Sequence, residues 1–375
     1  MRSRIIHDFG KYLIVFGIIV AIVTFYKNVE RTPLLAEDHT EFARAVVTKS
    51  SGNNLPAADG EGDSQEVTLL IKSGSHRGEE VDGYNLNGYL YGADCRTGTK
   101  VIVKLSEYNG SVSASVYNYD RETEIVVLVC LFLGLMWLVG GKKGINSIIA
   151  LVFTFIVIMM LYIPMIYVGC SPFLAAVLSV ILITVITHIL IADLQKKSIA
   201  AMLGTVCGVV VAGLIALIFG KAAHITGYNV DDIETLVYIG QNSKIDIGGM
   251  LFSGIIIASL GAVMDVAMSI SSSLHEINEK IPGISGKELF KSGVRIGRDM
   301  ISTMSNTLIL AYVGSGINLL MIIYAYSYQM HQVLNMYSIG IEIMSGIAGT
   351  MGIILAVPFT SAITAALMKY RKKQN

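Results

Sequence analysis

The segment IGGMLFSGIIIASLGAVMDVAMSISSS, Ile247–Ser273, decides the fold. A bilayer core about 30 Å thick is crossed by about 20 apolar residues in a helix. This segment is long enough, and its one charged residue is Asp265. At about 1.5 Å per residue, Asp265 lies about 14 Å from the polar pair that begins at His275, inside the hydrocarbon region. The segment therefore predicts a transmembrane helix that carries a carboxyl group deep in the membrane.

Small residues accompany Asp265 on its face of this predicted helix. Gly254, Ala258 and Gly261 precede it at steps of three or four residues, and Ser269 and Ser272 follow it. A stripe of small residues lets another helix approach closely, and ionisable residues in a membrane almost always face the protein. The pattern predicts that Asp265 faces protein rather than lipid.

The next apolar span begins at GRDMISTMSNTLILAY, Gly297–Tyr312, and has a polar face. Asp299, Thr303 and Asn306 fall on one side of the helix. By helical rise Asn306 lies about 10 Å inside the cytoplasmic boundary, a depth comparable to that of Asp265. We expect these residues to form a proton or ion coupling site with Asp265. The alternative is a carboxyl group that only hydrogen-bonds Ser or Asn side chains across the bundle.

The composition is that of an integral membrane protein. Of 375 residues, 53% are hydrophobic and 15% are charged, mean hydropathy is +0.62, and the apolar residues come in long blocks. A formal net charge of zero creates no field that would attract nucleic acid. Three of the four cysteines lie in or beside apolar spans, and only Cys95 lies in a polar segment. Neither a disulfide framework nor a paired-cysteine metal site is expected.

The distribution of positive charge predicts the orientation of the chain. Lys and Arg concentrate before the first span, in alternate loops, and after the last span. By the positive-inside rule both termini are cytoplasmic, and we expect a multi-pass protein of the cell membrane with residues 27–121 outside the cytoplasm. The eight predicted spans are Tyr12–Tyr26, Ile125–Val139, Ile145–Val168, Phe173–Ile191, Ile199–Phe219, Ile247–Ser271, Met300–Tyr324 and Ile341–Met368.

Residues 27–121 are polar, Gly-rich and β-prone. Asn109-Gly110 separates two alternating segments, TKVIVKLSEY and SVSASVYNY, and this is a strong hairpin signal. The sequence predicts a small all-β domain, a partly open barrel, with a mobile loop at Ser51–Ser64. Residues 1–26 are interpreted as a cytoplasmic N-terminus and a retained first transmembrane helix, because no A-x-A-like site precedes Ala36. A cleaved signal peptide is the alternative.

The remaining chain divides by its spans. Residues 122–220 hold spans two to five, residues 221–246 form an extracytoplasmic loop, and residues 247–375 hold the last three spans with a basic cytoplasmic connection and tail. Basic and apolar residues alternate from Lys280 to Arg298, which predicts an amphipathic helix on the inner leaflet. The small residues for which we predict close helix packing are Gly204, Gly208, Ala212, Gly254, Gly261 and Gly349.

Several motifs resemble those of the YibE/F family of multi-spanning bacterial membrane proteins. The clearest are LGAVMDVAMSI at Leu260–Ile270, GRDM at Gly297–Met300 and NTLILAY at Asn306–Tyr312. Further matches are GGKKG (Gly140–Gly144), AMLGT (Ala201–Thr205), SGIAGT (Ser345–Thr350) and AVPFT (Ala356–Thr360). The resemblance covers the chain from the end of the β domain to the C-terminus. It implies the membrane architecture and no defined chemistry.

Enzyme motifs are incomplete, so we predict no enzyme, no catalytic residue and no cofactor or metal. His275-Glu276 begins like HExxH, but Glu279 stands where the second His belongs. Gly314-Ser315-Gly316 lacks the spacing of a nucleophile elbow, and no phosphate-binding G-x-x-x-x-G-K-[ST] occurs. His188 and Thr184 face the same way in span four as a candidate polar path, although a buried hydrogen-bonded histidine is the simpler interpretation.

The function predicted from these features is a transporter or a transporter subunit, coupled to protons or cations through Asp265. The last spans are similar, at the level of fold analogy, to resistance-nodulation-division transporters and their SecD/SecF relatives. The alternative is a non-transporting membrane scaffold or sensor whose external β domain binds a partner or ligand. The partners expected are the lipid bilayer and a second copy or another membrane subunit, and no nucleic acid.

Overall fold

The computed structural model describes residues 2–30, 40–51, 65–85, 92–108, 111–192, 195–230 and 233–369. These form two compact units, Pro33–Leu135 and the rest of the chain. The first is built around a β-barrel and the second is helical. The predicted combination of long apolar helices with a small all-β domain is confirmed.

The helical unit follows the predicted order of apolar segments. The long helices of the chain are α1 (Arg2–Asn28), α2 (Glu122–Val157), α4 (Pro172–Ala192), α5 (Lys196–Ala222), α7 (Ile247–Lys280), α8 (Gly286–Ser315) and α11 (Tyr337–Lys369), and the first part of α2 belongs to the unit of the barrel. Between them lie a π-helical turn (Ile158–Tyr162), α3 (Ile163–Tyr167), a 3-10 turn (Gly227–Asn229), α6 (Ile233–Gln241), α9 (Ile317–Ala325) and α10 (Met330–Leu334).

Three predicted spans, the second, third and seventh, differ in detail from the helices observed. The segment Glu122–Tyr167 is one apolar stretch, but Gly141, with φ 54° and ψ −131°, interrupts its helix where the GGKKG motif predicts a loop. Span seven is wrong as a single straight helix, because α8 ends at Ser315 and α9 bends away by 60°. Among the described residues, six helical segments are long and apolar enough to cross a membrane, or seven with the bent pair. The predicted count of eight is reached if the bent pair is one span and if Gly141 divides the segment Glu122–Tyr167 into two spans.

Small residues let α5 and α11 approach closely, as predicted. A Cβ at Gly208 would lie 2.9 Å from the Ala356 Cβ and 3.0 Å from the Gly352 carbonyl oxygen. A Cβ at Gly204 would collide with the Thr360 side chain. Ala212 is fully buried beside Gly352. Gly204, Gly208 and Ala212 thus lie where α5 and α11 are in contact, and Val263 of α7 contacts the Gly208 position as well.

The second unit contains a closed five-stranded barrel with the order β1-β2-β3-β5-β4. The strands are β1 (Thr40–Ser51), β2 (Gln65–Ile71), β3 (Glu80–Asn85), β4 (Lys100–Tyr108) and β5 (Ser111–Tyr119). All pairs are antiparallel except β3 with β5. The barrel is thus closed rather than partly open, and closure leaves no free sheet edge.

The predicted hairpin is confirmed by the pairing of its strands. Tyr108 is opposite Ser111 at the tip of β4 and β5. The turn residues Asn109-Gly110 and most of the predicted loop at Ser51–Ser64 lie outside the described residues. Strand alternation places one side of each strand in the core, as with Val67, Leu69 and Ile71 of β2.

One end of the barrel core holds a buried polar cluster. The Asn85 amide donates to the Gln65 Oε1 at 3.0 Å, and the Cys95 backbone N–H donates to the same oxygen at 3.1 Å. Burial of the thiol, with the charge of Asp94 adding to it, raises the pKa of Cys95 to about 11. The four cysteines of the chain are all free. Cys95 is therefore a protonated core residue at neutral pH.

Residues 27–121 are expected to fold alone. The barrel has its own core and closed hydrogen bonding, and Arg44 pairs with Asp120 within the fragment. We expect a circular dichroism spectrum dominated by β-structure and a cooperative thermal transition. As a control, Leu69→Asp places a charge at a fully buried position and should abolish the transition. A spectrum of coil or helix from the unsubstituted fragment would show that the domain boundary is wrong.

Candidate functional site

Helix α7 contains Asp265, and side-chain hydrogen bonds hold it near its N-terminus and again near its C-terminal end. The Asp246 side chain caps its N-terminus by accepting from the Gly249 N–H at 3.2 Å. Near the other end, the Ser271 hydroxyl donates to the Lys197 carbonyl at 2.6 Å. Between these points Ile256, Val263 and other apolar residues pack into the main core. One face of α7 is therefore packed in the interior of the helical unit.

Asp265 lies on the opposite face of α7. Gly254, Ala258, Gly261, Asp265 and Ser269 are all exposed. Apart from the neighbouring backbone of α7 itself, no atom lies within 4 Å of the Cβ position at Gly254 or Gly261. Within the described residues of one chain, no other helix packs on this stripe, and the packing role of Gly254 and Gly261 stays a prediction. The stripe is opposite the core because the larger apolar residues of α7 occupy the other side.

Helix α8 runs antiparallel to α7 in a register set by two contacts. A Cβ at Gly293 would lie 2.8 Å from the Leu274 Cδ1, and a Cβ at Gly349 would touch both Leu308 and Ser259. Asp265 is nine residues from Leu274, and Ser302 is nine residues from Gly293. Asp265 is therefore level with Ser302. Gly349 of α11 thus lies beside both α7 and α8.

The polar residues of α8 share the level of Asp265 but do not bind it. Asn306 is four residues beyond Ser302, or about 6 Å along the helix. Asp299, Thr303 and Asn306 are exposed, and the Thr303 hydroxyl donates to the Met300 carbonyl of its own helix at 3.1 Å. Among the described residues, no hydrogen bond or ion pair joins any of them to Asp265. Asp265 and Asn306 are therefore within about two helical turns of each other along the paired helices, and the expected contact between them does not occur within one chain.

The N-terminal half of α8 contains the predicted amphipathic segment. Ser285 and Glu288 form a reciprocal cap, with the Glu288 N–H donating to the Ser285 Oγ at 3.1 Å. Leu289, Gly293 and Gly297 are buried. The basic residues Lys287, Lys291, Arg295 and Arg298 are exposed. The segment is amphipathic, but it is the first part of one 30-residue helix and packs on α11 and α7.

His188 and Thr184 are buried in α4, as the simpler interpretation predicts. The His188 Nδ1 lies 2.8 Å from the Thr184 carbonyl oxygen. Neither the His188 Nε2 nor the Thr184 hydroxyl has a hydrogen-bond partner in the described part of the chain. The two residues are not connected to Asp265 by hydrogen bonds. A polar path from one to the other is absent among the residues described.

Other buried polar groups were not predicted. The Tyr162 hydroxyl and the Ser253 hydroxyl are 2.5 Å apart and link the π-helical turn to α7. The hydroxyls of Thr360, Ser361 and Thr364 on α11 are buried without partners in the described part of the chain. Their spacing in the sequence places them on one side of α11, which is the signal that would have identified them.

An apolar cavity of about 460 Å³ lies between the second half of α8, α9, α10 and α11. Tyr312, Leu320, Leu334 and Glu342 are among the residues that line it. One carboxylate oxygen of Glu342 is buried without a partner among the described residues. Asp265 does not line this cavity. No group of three or more His, Cys, Asp or Glu residues that could hold a metal occurs in the ranges described.

A family model described as YibE/F-like protein matches residues 128–370, about two thirds of the chain. The match includes α7, α8, the small-residue contact of α5 with α11, and Asp265. No curated protein and no solved structure matches the chain.

Proposed function

We propose that this chain, which belongs to the YibE/F-like family, is a membrane transporter or a subunit of one. In this proposal Asp265 carries a proton or a cation during the working cycle. The proposed location is the cell membrane, with both termini in the cytoplasm and the β-barrel outside.

The position of Asp265 supports this proposal. It is the one ionisable residue of α7 between the cap Asp246 and His275, and it stands about 15 Å along the helix from His275. A carboxyl group at such depth costs several kcal/mol, and intramembrane acids are typically retained for ion or proton transfer. Since Asp265 has no intrachain partner among the described residues, a role in holding the folded chain together does not explain it.

Reconstituted vesicles test the proposed coupling. Vesicles containing a pH-sensitive dye are exposed to imposed gradients of Na⁺, K⁺ or Mg²⁺. We expect wild type to move protons faster than protein-free vesicles, and Asp265→Asn to match the protein-free rate because an amide cannot release a proton. Asp246→Asn is the control, since Asn also caps a helix and this position is at the end of α7. Equal proton movement by wild type and Asp265→Asn would overturn the role of Asp265.

Cysteine labelling tests the proposed orientation. In a variant without native cysteines, Lys104→Cys on the barrel surface should react with an impermeant maleimide added to intact cells. Lys287→Cys at the start of α8 should react only after the membrane is permeabilised. Both positions are exposed, so access depends on the side of the membrane. The reverse pattern would overturn the orientation and the assignment of the barrel to the exterior.

A groove on the barrel favours a second candidate function, a membrane sensor or scaffold. The groove has a volume of about 560 Å³ and is lined by Lys49, Glu66, Thr68, Asp82 and Tyr84, among others, on β1, β2 and β3. Polar side chains beside an exposed aromatic ring suit a polar ligand that stacks on the ring. This function would be preferred if Asp265→Asn left cellular activity intact while Tyr84→Ala removed it.

A further inference from the structure

The cavity between α8, α9, α10 and α11 is apolar apart from one carboxyl group and the hydroxyl of a tyrosine. Its volume of about 460 Å³ is in the range of pockets that hold small molecules. Among the described residues that line it, Glu342 is the one with a charged side chain. Leu320, Leu334 and Ile343 line it and are each at least 40% exposed, so the cavity opens at the surface of the helical unit.

Glu342 lies near the start of α11, beside the bend between α8 and α9. A Cβ at Gly316, in the bend, would lie 4.0 Å from the Glu342 Cγ. The Glu342 Oε2 has less than 1 Å² of exposed surface and no hydrogen-bond partner among the described residues. A buried carboxylate oxygen costs free energy unless a donor reaches it. The donor that suits Glu342 therefore comes from outside the described chain.

The composition of the lining decides which class of molecule can supply that donor. A divalent cation takes several oxygen ligands, and the lining offers one carboxylate among aliphatic side chains. A buried water molecule needs about two to four polar partners. An anion would be repelled by Glu342, and a purely apolar molecule would leave the carboxylate unpaired. The class that fits has an apolar body and a cationic N–H donor.

We propose that this cavity binds a single-chain amphipathic amine, with its apolar body inside the cavity and its protonated amino group donating to Glu342. A hydrogen bond from a charged N–H to a carboxylate is stronger than a neutral one. An aminophospholipid also has an ammonium group, but it carries a phosphate close to it. None of the described lining residues is Lys, Arg or His, so that phosphate would lie near Glu342 without a cationic partner. The lining therefore favours an amine without an anionic group.

The cavity is separate from Asp265. Asp265 is level with Ser302 of α8, and Gly316 is 14 residues beyond Ser302, or about 21 Å along the helix. Amine binding uses Glu342 and the cavity, and it requires no proton transfer by Asp265. Failure of amine binding and failure of proton movement are therefore distinguishable.

Equilibrium binding of radiolabelled decylamine to the full chain in phosphatidylcholine nanodiscs tests the role of Glu342. Binding to protein-free nanodiscs is subtracted. Glu342→Gln keeps the size of the side chain and removes its charge, so we expect amine binding about tenfold weaker or more. Glu234→Gln is the control, because Glu234 is an exposed acid of α6 that does not line the cavity, and it should bind like wild type.

Two results of this experiment would overturn the proposal. One is equal binding of decylamine by wild type and Glu342→Gln. The other is binding of decanol to wild type as tightly as decylamine, because any apolar chain would then be enough to fill the cavity.

A pair of glycine substitutions at the bend tests the cavity itself. Gly316→Leu places a side chain in the cavity, and the φ of −86° at this position does not require glycine. Gly314→Leu adds the same side chain at an exposed glycine that does not line the cavity. We expect Gly316→Leu to bind decylamine about tenfold more weakly or worse, and Gly314→Leu to bind it like wild type. Wild-type binding by a folded Gly316→Leu protein would contradict the assigned cavity, and if this variant does not fold, Glu342→Gln decides.

Exchange of the nanodisc lipid distinguishes the two sources of an ammonium group. Phosphatidylethanolamine has N–H donors on its headgroup, whereas phosphatidylcholine has none. We expect the affinity for decylamine, referred to its concentration in the membrane, to change by less than about twofold on exchange to phosphatidylethanolamine. A fall of about tenfold or more would show that the lipid headgroup occupies the site, and it would overturn the single-chain amine as its occupant.

Discussion

Gly208→Leu is expected to disrupt the transmembrane bundle, with a loss of about 3 kcal/mol or more in the free energy of unfolding. A side chain at this position has no space to enter. Its Cβ would lie 2.8 Å from the Val263 Cγ1, 2.9 Å from the Ala356 Cβ and 3.0 Å from the Gly352 carbonyl oxygen. These neighbours belong to α7 and α11, and the last is backbone. The variant can fit only if three helices separate.

Thermal unfolding in detergent measures this effect. It is followed with a fluorescent dye that reacts with cysteines as unfolding makes them accessible. Gly314→Leu is a matched control, because it adds the same side chain to an exposed glycine of α8 whose Cβ position has no atom within 4 Å apart from the neighbouring helix backbone. We expect the control to unfold within a few degrees of wild type and Gly208→Leu to unfold at a much lower temperature or to be absent from membranes. A Gly208→Leu protein with wild-type stability would show that α5, α7 and α11 are not packed as described.

The contact at Gly208 was predictable, whereas the exposure of the α7 stripe was not. In both helices the signal is the same, small residues at every third or fourth position. That pattern indicates that a helix can pack closely there, but it does not indicate whether the helix belongs to the same chain. For α5 the partner is α11 of the same chain. For α7 the stripe around Gly261 is exposed in the described chain, so the expectation that Asp265 faces protein rather than lipid stays a prediction.

Helix boundaries were predictable where a local cause exists. Gly141 ends a helix with a positive φ, and its neighbours Gly140 and Lys142 already predict a loop. The bend after Ser315 was missed because Gly314 and Gly316 stand in an apolar stretch that is long enough to continue as one span. Hydropathy measures the length of such a stretch and does not measure its direction.

Barrel closure depends on a contact that no local pattern encodes. The hairpin of β4 and β5 follows from alternation and a two-residue connection. The closing pair of β3 with β5 is parallel, with Gly83 opposite Ala114. A Cβ at Gly83 would collide with the Ala114 carbonyl oxygen, so glycine permits this close approach. Gly83 is visible in the sequence, but the need for a glycine at this position follows only from the pairing of β3 with β5.

Asp265→Leu is expected to abolish proton-coupled activity while leaving the folded chain as stable as wild type or more stable. An aspartate at the centre of a membrane helix costs about 2.5–3.5 kcal/mol on insertion scales, and leucine removes that cost. Among the described residues, Asp265 makes no intrachain hydrogen bond or ion pair, so the substitution breaks no contact within the chain. Asp265→Asn keeps the size and hydrogen-bonding capacity of the side chain and loses only the proton. Both variants should therefore insert and fold, and both should lose activity.

Comparing the two variants separates a working carboxyl group from a structural one. Membrane yield and unfolding temperature in detergent report folding, and dye-reported proton movement in vesicles reports activity. If Asp265 transfers protons, both variants lose activity, and both keep an unfolding temperature equal to that of wild type or higher. If Asp265 holds the structure together, Asp265→Leu loses stability by about 2 kcal/mol or more and Asp265→Asn retains activity. The second pattern would favour the sensor or scaffold function, because Asp265 would then be a structural group and would not transfer a proton.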